Sequence, residues 1–250
     1  WSSSDTIGAL CGIQAEPMTK AQIDSFVAAA AAAARDCVAG GLDGVEGHMA
    51  HGYLMQQFLS PLHNRRTDDY GGSFENRLRL PLAVLEAVLP ETPPPQAEGG
   101  RLHMAMGVRL SSELLPGGMT PDDVAAVANA FRARGLIDYV NLTLGTDYNP
   151  HKIIGAMHEP SGYEIAHGVP VKRAVDPALP VLVTGRFRTL EEAEQVIAGG
   201  DADLVALTRA HIADPDLVRK TLEGRVDEVR PCIGCNHGCV GGLNSVGRMG

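Results

Sequence analysis

The sequence lacks the marks of several large protein classes. It has no surplus of basic residues, since 21 Lys and Arg stand against 30 Asp and Glu for a net charge of -9. Nucleic acid is therefore not the expected partner, because phosphate binding draws on Lys and Arg. No apolar run approaches the roughly 18 residues that cross a bilayer, and no signal peptide opens the chain. Five cysteines, three of them clustered, do not form a disulfide framework. We expect a cytoplasmic protein that binds neither nucleic acid nor a membrane.

The three clustered cysteines have the spacing C-x2-C-x3-C, at Cys232, Cys235 and Cys239. This spacing favours an iron–sulfur site. A zinc site of the Cys3His type, with His237 inside the motif, and no metal at all are the alternatives. A four-iron cluster takes four thiolates, yet the chain has no further cysteine after Cys239 and begins with Trp1 instead of Met. We therefore expect both ends to be truncated.

Signals for strands and helices alternate along the chain. Helices are predicted after the capping residues Thr19, Thr120 and Thr189, and from about Phe74 and Asp214. Strands are predicted over 42–48, 104–110, 137–143, 179–183 and 204–207, with a Pro/Gly-rich solvent loop over 90–100. Five strand–helix units in succession imply a parallel sheet with helices packed outside it.

Two architectures fit that succession, a doubly wound sheet and an eight-stranded barrel. A doubly wound sheet usually carries a Gly-rich turn after its first strand, and no G-x-G-x-x-G opens a helix here. Polar residues instead follow the carboxyl ends of successive strands, as in a barrel. They are His48, His51, Arg109, Asn141, Gly185, Arg186 and Arg209. The predicted fold is therefore α/β, the C-terminal five strand–helix units of a TIM (β/α)8 barrel, with two open sheet edges.

Several strand ends carry residues suited to catalysis or anion binding. The imidazoles of His48 and His51 are placed to donate to one developing oxyanion, and Tyr53 is a candidate proton donor. The alternative is that these three residues only pack the turn. Arg109 is predicted to end a buried strand and so to need an anionic partner, either a ligand or a salt bridge to Glu46 or Asp43.

The last two strands end at Thr184-Gly185-Arg186 and at Thr208-Arg209. Barrels commonly bind phosphate at this place, where backbone amides and an arginine converge. Surface salt bridges are the alternative for the two arginines.

Two long motifs resemble the old yellow enzyme family of FMN barrels. They are D-G-V-E-G-H-M-A-H-G-Y-L-M-Q-Q-F-L-S-P over 43–61 and N-R-R-T-D-D-Y-G-G-S-F-E-N-R over 64–77. The tail, A-D-P-D-L over 213–217 and R-P-C-I-G-C-N-H-G-C over 230–239, is similar to the iron–sulfur branch that includes 2,4-dienoyl-CoA reductase and trimethylamine dehydrogenase. The resemblance covers nearly the whole chain.

The resemblance implies a role for each matching residue. His48 and His51 would hold the carbonyl oxygen of the substrate, and Tyr53 would deliver the proton. Arg109 would face the flavin N1/O2 edge, and the FMN phosphate would be held by Gly185, Arg186, Thr208 and Arg209. Cys232, Cys235 and Cys239 would be three ligands of a [4Fe-4S] cluster. The chain departs from the family pattern at Thr208, where glycine is frequent, and at Gly47, where a bulky apolar residue is usual.

The implied activity is FMN-dependent, NAD(P)H-driven reduction of an activated C=C bond in a small molecule, such as an enone, an enal or a dienoyl thioester. The alternative is an amine dehydrogenase or N-demethylase on the same scaffold. Amine dehydrogenases of this branch tend to carry Tyr where His48 stands, whereas the related demethylases are poorly separated by this motif. A non-catalytic zinc-binding barrel is the third hypothesis.

The expected domains are a partial FMN-binding barrel over 1–229 and a truncated iron–sulfur segment over 230–250. Nucleotide-binding domains, one of them with FAD, are expected beyond this chain, and assembly as a homo-oligomer stays open. We expect the chain alone to be inactive, to fold poorly and not to retain FMN.

Overall fold

A computed structural model of the chain describes residues 1–7, 14–91 and 104–242. Five parallel strands form one sheet in sequential order: β3 Gly44–Met49, β4 Ala105–Ser112, β5 Tyr139–Leu144, β6 Val181–Val183 and β7 Leu204–Val205. Two short strands, β1 Thr6–Ile7 and β2 Gln14–Ala15, pair antiparallel outside this sheet. The predicted succession of five parallel strand–helix units is confirmed.

Nine α-helices lie within the described residues. They are α1 Lys20–Ala39, α2 Leu54–Leu59, α3 Phe74–Val88, α4 Pro121–Arg132, α5 Pro150–Ile153, α6 Ile165–Ala174, α7 Leu190–Ala198, α8 Thr208–Ala213 and α9 Leu217–Leu222. Short 3-10 turns cover Leu89–Glu91 and Val226–Glu228, and a π-helical turn covers His237–Gly241. No helix in this part of the chain is both long and apolar enough to cross a membrane.

The predicted helix starts are confirmed at their caps. The Thr19 side chain accepts a hydrogen bond from the backbone of Gln22, whose side chain accepts one from the Thr19 backbone, and Thr120 and Asp123 form the same reciprocal pair. Thr189 accepts from the backbone of Glu192. Each cap satisfies backbone N–H groups that the first helical turn leaves free, worth about 1 kcal/mol per cap.

Four helices and the β1–β2 pair were not predicted from the sequence. The helices α2, α5, α6 and α8 are short, and no side chain caps their first turn. Helix α6 also carries Pro170 in its interior, a residue that reads as a helix breaker. The predicted strand over 104–110 extends to Ser112, and the last helix begins at Leu217 instead of Asp214. Most of the predicted loop over 90–100 lies outside the described residues.

The two faces of the sheet differ in chemistry. One face supplies the apolar core, in which Val108, Leu110, Val140, Leu142, Val181 and Val183 pack with side chains of the surrounding helices. Because side chains alternate along a strand, the residues between these point to the other face. On β4 and β5 those residues include Arg109, Asn141 and Thr143. The concave side of the sheet is therefore polar, and it positions the candidate site.

Candidate active site

A row of polar residues crosses the centre of the sheet. His48 on β3 pairs in register with Arg109 on β4, and Arg109 pairs with Asn141 on β5. The Asn141 amide donates to both carboxylate oxygens of Glu46, at 3.1 Å each. Strand pairing thus brings together residues that are up to 95 positions apart in the chain.

Arg109 differs from its prediction in position. It lies inside β4, with three strand residues after it, instead of at the strand end. Its Nη2 donates to the Thr143 hydroxyl at 3.3 Å, and Glu46 is engaged by Asn141 instead. The Arg109 Nε is buried and has no hydrogen-bond partner in the described part of the chain. A buried donor of this kind suits an acceptor that a ligand supplies.

His51 sits in a tight turn directly after β3. It takes φ +65°, and Gly52 takes φ +79°. The His51 backbone N–H donates to the Ser111 hydroxyl at 3.1 Å, and the Gly52 N–H donates to the Gln56 side chain at 2.7 Å. Gln56 in turn donates to the Ser111 carbonyl at 2.9 Å. This buried network fixes the strained turn and so fixes where the imidazole points.

Three rings meet at this turn. The centroid of the His48 ring lies 5.2 Å from that of His51 and 5.4 Å from that of Tyr53. His51 is buried, with Nε2 3.0 Å from the Thr143 hydroxyl, whereas Tyr53 is 52% exposed. The structure therefore brings the three predicted catalytic residues together.

Both imidazoles are held neutral at neutral pH. Burial, then the Arg109 charge and His48, lower the pKa of His51 to about 3. Loss of solvent and the same guanidinium also lower the pKa of His48, against an opposing effect of Glu46. A neutral imidazole carries one N–H and can act as a hydrogen-bond donor without giving up a proton.

Glu164 is a buried acid that the sequence analysis missed. It is 7% exposed, and the Thr184 hydroxyl donates to its Oε2 at 2.7 Å. Burial raises the pKa of Glu164, although hydrogen bonds and the nearby Arg109 act in the opposite direction. Glu164 directly precedes α6, a helix that was not predicted, so nothing in the sequence indicated that this side chain lies at the site.

The predicted phosphate residues lie after β6 and β7. Gly185 and Arg186 both take positive φ, +146° and +63°, and the Arg186 Nε is buried without a hydrogen-bond partner in the described ranges. Thr208 and Arg209 were predicted to end the last strand, but β7 ends at Val205 and these two residues are the first two of α8. Within the described residues neither Arg186 nor Arg209 forms an ion pair with a carboxylate, and Arg209 donates to the Gly155 carbonyl and the Asn236 side chain. Surface salt bridges therefore do not account for these two arginines.

These groups line one cavity of about 430 Å³. Its lining includes His51, Tyr53, Arg109, Glu164, Thr184, Gly185, Arg186, Arg188, Thr208, Arg209, Cys232 and Cys239. The volume is typical of sites for small molecules and cofactors. Four arginines and a single carboxyl group, that of Glu164, line the cavity. Three of these arginines, Arg109, Arg186 and Arg188, have a buried Nε without a hydrogen-bond partner in the described residues. The lining therefore fits an anionic, phosphate-bearing aromatic group, and FMN is such a group.

The cysteine segment, residues 232–239, forms one side of this cavity. Cys232 and Cys239 are half-buried in its lining, Cys235 is exposed, and all three are free thiols. The Gly234 N–H donates to the Cys232 sulfur at 3.4 Å. Over the residues that the structure describes, no three His, Cys, Asp or Glu side chains converge closely enough to hold a metal ion. The donor chemistry suits a cluster, but the three sulfurs are not assembled as ligands.

Comparison with known proteins agrees with the geometry. Residues 5–228 match the NADH:flavin oxidoreductase / NADH oxidase family. The chain is 35% identical to an NADH oxidase of Thermoanaerobacter brockii over 92% of its own length and 34% of that protein. It is 36% identical to the N,N-dimethylglycine/sarcosine dehydrogenase of Chromohalobacter salexigens over 86% of its length and 30% of that protein.

Among solved structures, a complex of 2-naphthoyl-CoA reductase with 2-naphthoyl-CoA superposes with a TM-score of 0.83 at 29% identity, over 95% of this chain and 35% of the other. The chain thus spans about a third of the length of these relatives. The family match and the parallel sheet with its polar concave face lead to one conclusion. The chain belongs to the NADH:flavin oxidoreductase / NADH oxidase family, the old yellow enzyme family that its motifs resemble.

Proposed function

We propose that the whole protein is an FMN-dependent oxidoreductase that uses NAD(P)H to reduce an activated C=C bond of a small molecule. The observation that carries this proposal is the pair of neutral imidazoles, His48 and His51, beside the Tyr53 phenol. His51 and Tyr53 line the same cavity as the four arginines. When bound, FMN supplies the redox chemistry by accepting hydride from NAD(P)H and passing it to the electron-poor alkene carbon.

The two histidines bind the carbonyl oxygen of the substrate as donors. His51 Nε2 lies 3.0 Å from the Thr143 hydroxyl, which also contacts Arg109 and Glu164. In the tautomer with its ring proton on Nδ1, His51 donates to the substrate while Nε2 accepts from Thr143. Fixed donors aimed at a developing oxyanion lower its barrier, with a single donor commonly worth about 3 kcal/mol.

Tyr53 supplies the proton that completes the reduction. Its exposed phenol lies beside both imidazoles, close to the carbonyl oxygen that they would bind. A phenol has an ordinary pKa of about 10 and can protonate the carbon next to an enolate.

The arginines would hold the cofactor. The partnerless Arg109 Nε suits the flavin N1/O2 edge, where negative charge accumulates on reduction, and Gly185, Arg186, Thr208 and Arg209 would hold the phosphate. Thr208 stands where glycine is frequent in the family, but its backbone N–H is still available.

We propose Cys232, Cys235 and Cys239 as three ligands of a [4Fe-4S] cluster, with the fourth ligand and an FAD-binding domain outside this chain. Three free thiols within eight residues support this assignment, as does the N–H···S hydrogen bond from Gly234, a contact that stabilises thiolates at such sites. On this proposal residues 1–229 form the FMN barrel and 230–250 begin the cluster segment.

Amine oxidation is the second candidate function. It is favoured by the relative from Chromohalobacter salexigens, which is named for N,N-dimethylglycine and sarcosine. The positive charges of the arginines that line the cavity would repel a protonated amine, and for this reason we place the alkene reductase first.

The test is an anaerobic visible spectrum of the protein at its full natural length. Flavin bands that bleach with NADPH and return on addition of 2-cyclohexenone would support the reductase. Flavin bands that do not change with NADPH but bleach with N,N-dimethylglycine would support the amine dehydrogenase. A colourless protein that binds one zinc per chain would refute both. The Tyr53→Phe variant should still bleach with NADPH but reoxidise slowly with the enone.

A further inference from the structure

Asn236 joins the cysteine segment, defined as residues 232–239, to the barrel. It takes the left-handed φ of +56°, and its Nδ2 donates to the Ile154 carbonyl at 2.7 Å. Its Oδ1 accepts a hydrogen bond from Arg209 Nη1. One side chain thus contacts the C-cap residue of α5 and the first turn of α8, and both Ile154 and Arg209 line the cavity.

The contacts of Arg209 explain why this link matters. The same Nη1 also donates to the Gly155 carbonyl at 2.8 Å. Both acceptors are neutral, so they orient the guanidinium without cancelling its charge. A carboxylate in the place of Asn236 would form an ion pair with Arg209 and weaken its attraction for an anion.

The segment also packs closely on the second arginine of the cavity. A Cβ built on Gly234, whose φ is +67°, would lie 2.7 Å from Arg186 Nη1. The backbone between Cys232 and Cys235 therefore passes directly over that guanidinium. Both candidate phosphate ligands, Arg186 and Arg209, touch the cysteine segment.

We propose that Asn236 is a positioning residue: it orients Arg209 toward the phosphate of FMN. The cysteine segment is thereby part of the cofactor site. The inference rests on the proposed function, because it takes FMN as the ligand of the cavity. It assigns the segment a role that does not require a metal.

The experiment compares two flavins on the apoprotein of the full-length chain. FMN and riboflavin differ only in the phosphate, so their dissociation constants, measured by quenching of flavin fluorescence, isolate what the phosphate contributes to binding. The Asn236→Gly variant keeps the left-handed backbone, which glycine adopts freely. It removes the side-chain contacts of Asn236 with Ile154, Arg209 and the Cys239 thiol. We expect its FMN affinity to fall by about 10- to 100-fold, the range for a lost hydrogen bond to a charged group, while riboflavin affinity changes less than about twofold.

Two further variants separate orientation from general loosening. Arg209→Ala should weaken FMN binding at least as much, and the double variant should bind FMN no worse than Arg209→Ala alone, since Asn236 acts through Arg209. Asn129→Ala is the matched control. Asn129 also bridges two segments, donating to the Ala174 carbonyl and accepting from the Asp176 N–H, but it does so before β6 begins, at the far end of the sheet. It should lower the melting temperature and leave FMN affinity unchanged.

The outcomes are distinct. Equal losses of FMN and riboflavin in Asn236→Gly, additive losses in the double variant, or an unchanged FMN affinity would each overturn the positioning role. A wild-type apoprotein that binds neither flavin would overturn the proposed function itself, and this inference with it.

Discussion

Replacing Arg109 by methionine should separate cofactor binding from stability. Arg109 is half-buried, makes one hydrogen bond of 3.3 Å to Thr143, and keeps its buried Nε without a partner in the described residues. Methionine is unbranched and apolar and has no donor, so it replaces the arginine stem without leaving an unsatisfied group.

The free energies work in opposite directions. The lost hydrogen bond to Thr143 costs about 1 kcal/mol, whereas removal of a buried donor without a partner recovers about 1–3 kcal/mol. The free energy of unfolding of the apoprotein should therefore stay within about 1 kcal/mol of wild type, or rise by up to about 2 kcal/mol. FMN loses a charged donor, which corresponds to about 10- to 100-fold in its dissociation constant.

Urea denaturation of the full-length apoprotein and fluorescence titration with FMN measure the two quantities. The neighbouring Leu110→Ala variant is the stability control, because Leu110 is fully buried and its truncation should cost about 2–5 kcal/mol. Arg132→Met is the charge control, since Arg132 forms a partly exposed ion pair with Asp176 and should affect neither quantity by much. A destabilisation of Arg109→Met as large as that of Leu110→Ala, or an unchanged FMN affinity, would refute the reasoning.

Three other perturbations follow from the site. Because the pKa of His51 is about 3 in the folded chain and near 6.5 when unfolded, its contribution to stability is complete above pH 6.5 and is lost as the pH falls toward 3. In urea denaturation at pH 7 and 4.5, His51→Gln should therefore lose less stability than wild type between the two pH values. An equal loss in both proteins would contradict this. Burial raises the pKa of Glu164, so its contribution to stability is complete below the pKa of the unfolded state and is lost as the pH rises through the pKa of the folded state. Glu164→Gln should therefore be more stable than wild type at pH 8, and this difference should vanish at pH 4. Gly107→Ala should destabilise by about 1–3 kcal/mol, because the new Cβ would lie 2.1 Å from the Tyr139 ring; an unchanged melting temperature would show that the ring moves freely.

The parts of the fold that local chemistry specifies were predictable from the sequence. Thr19, Thr120 and Thr189 begin their helices as predicted, because a capping side chain acts within three residues of itself. The strands over 104–110, 179–183 and 204–207 were located for a similar reason, since each is a short run rich in apolar residues. Their parallel order follows from the helices between them.

The parts that depend on distant contacts were missed or misplaced. The predicted strand ended at residue 110, so Arg109 was expected near its end. Ser111 and Ser112 instead continue β4 and are buried, and the Ser111 hydroxyl accepts a hydrogen bond from the His51 backbone. Glu164 carried no signal, because only its three-dimensional neighbours make it part of the cavity. Asn236 did offer one: an asparagine between the second and third cysteines is a residue type that tolerates left-handed φ.

The sequential strand order has a consequence for how the chain is made. Each strand from β4 to β7 pairs with the strand that leaves the ribosome just before it, so no strand waits for a partner that has not yet been synthesised. Parallel pairing across helical connections is slow compared with hairpin formation, but the strand order lets each pairing follow the order of translation, in which domains of nascent chains commonly fold. Synthesis and folding of the sheet therefore share one direction, and a pause after any unit leaves a smaller sheet whose strands are already in their final order.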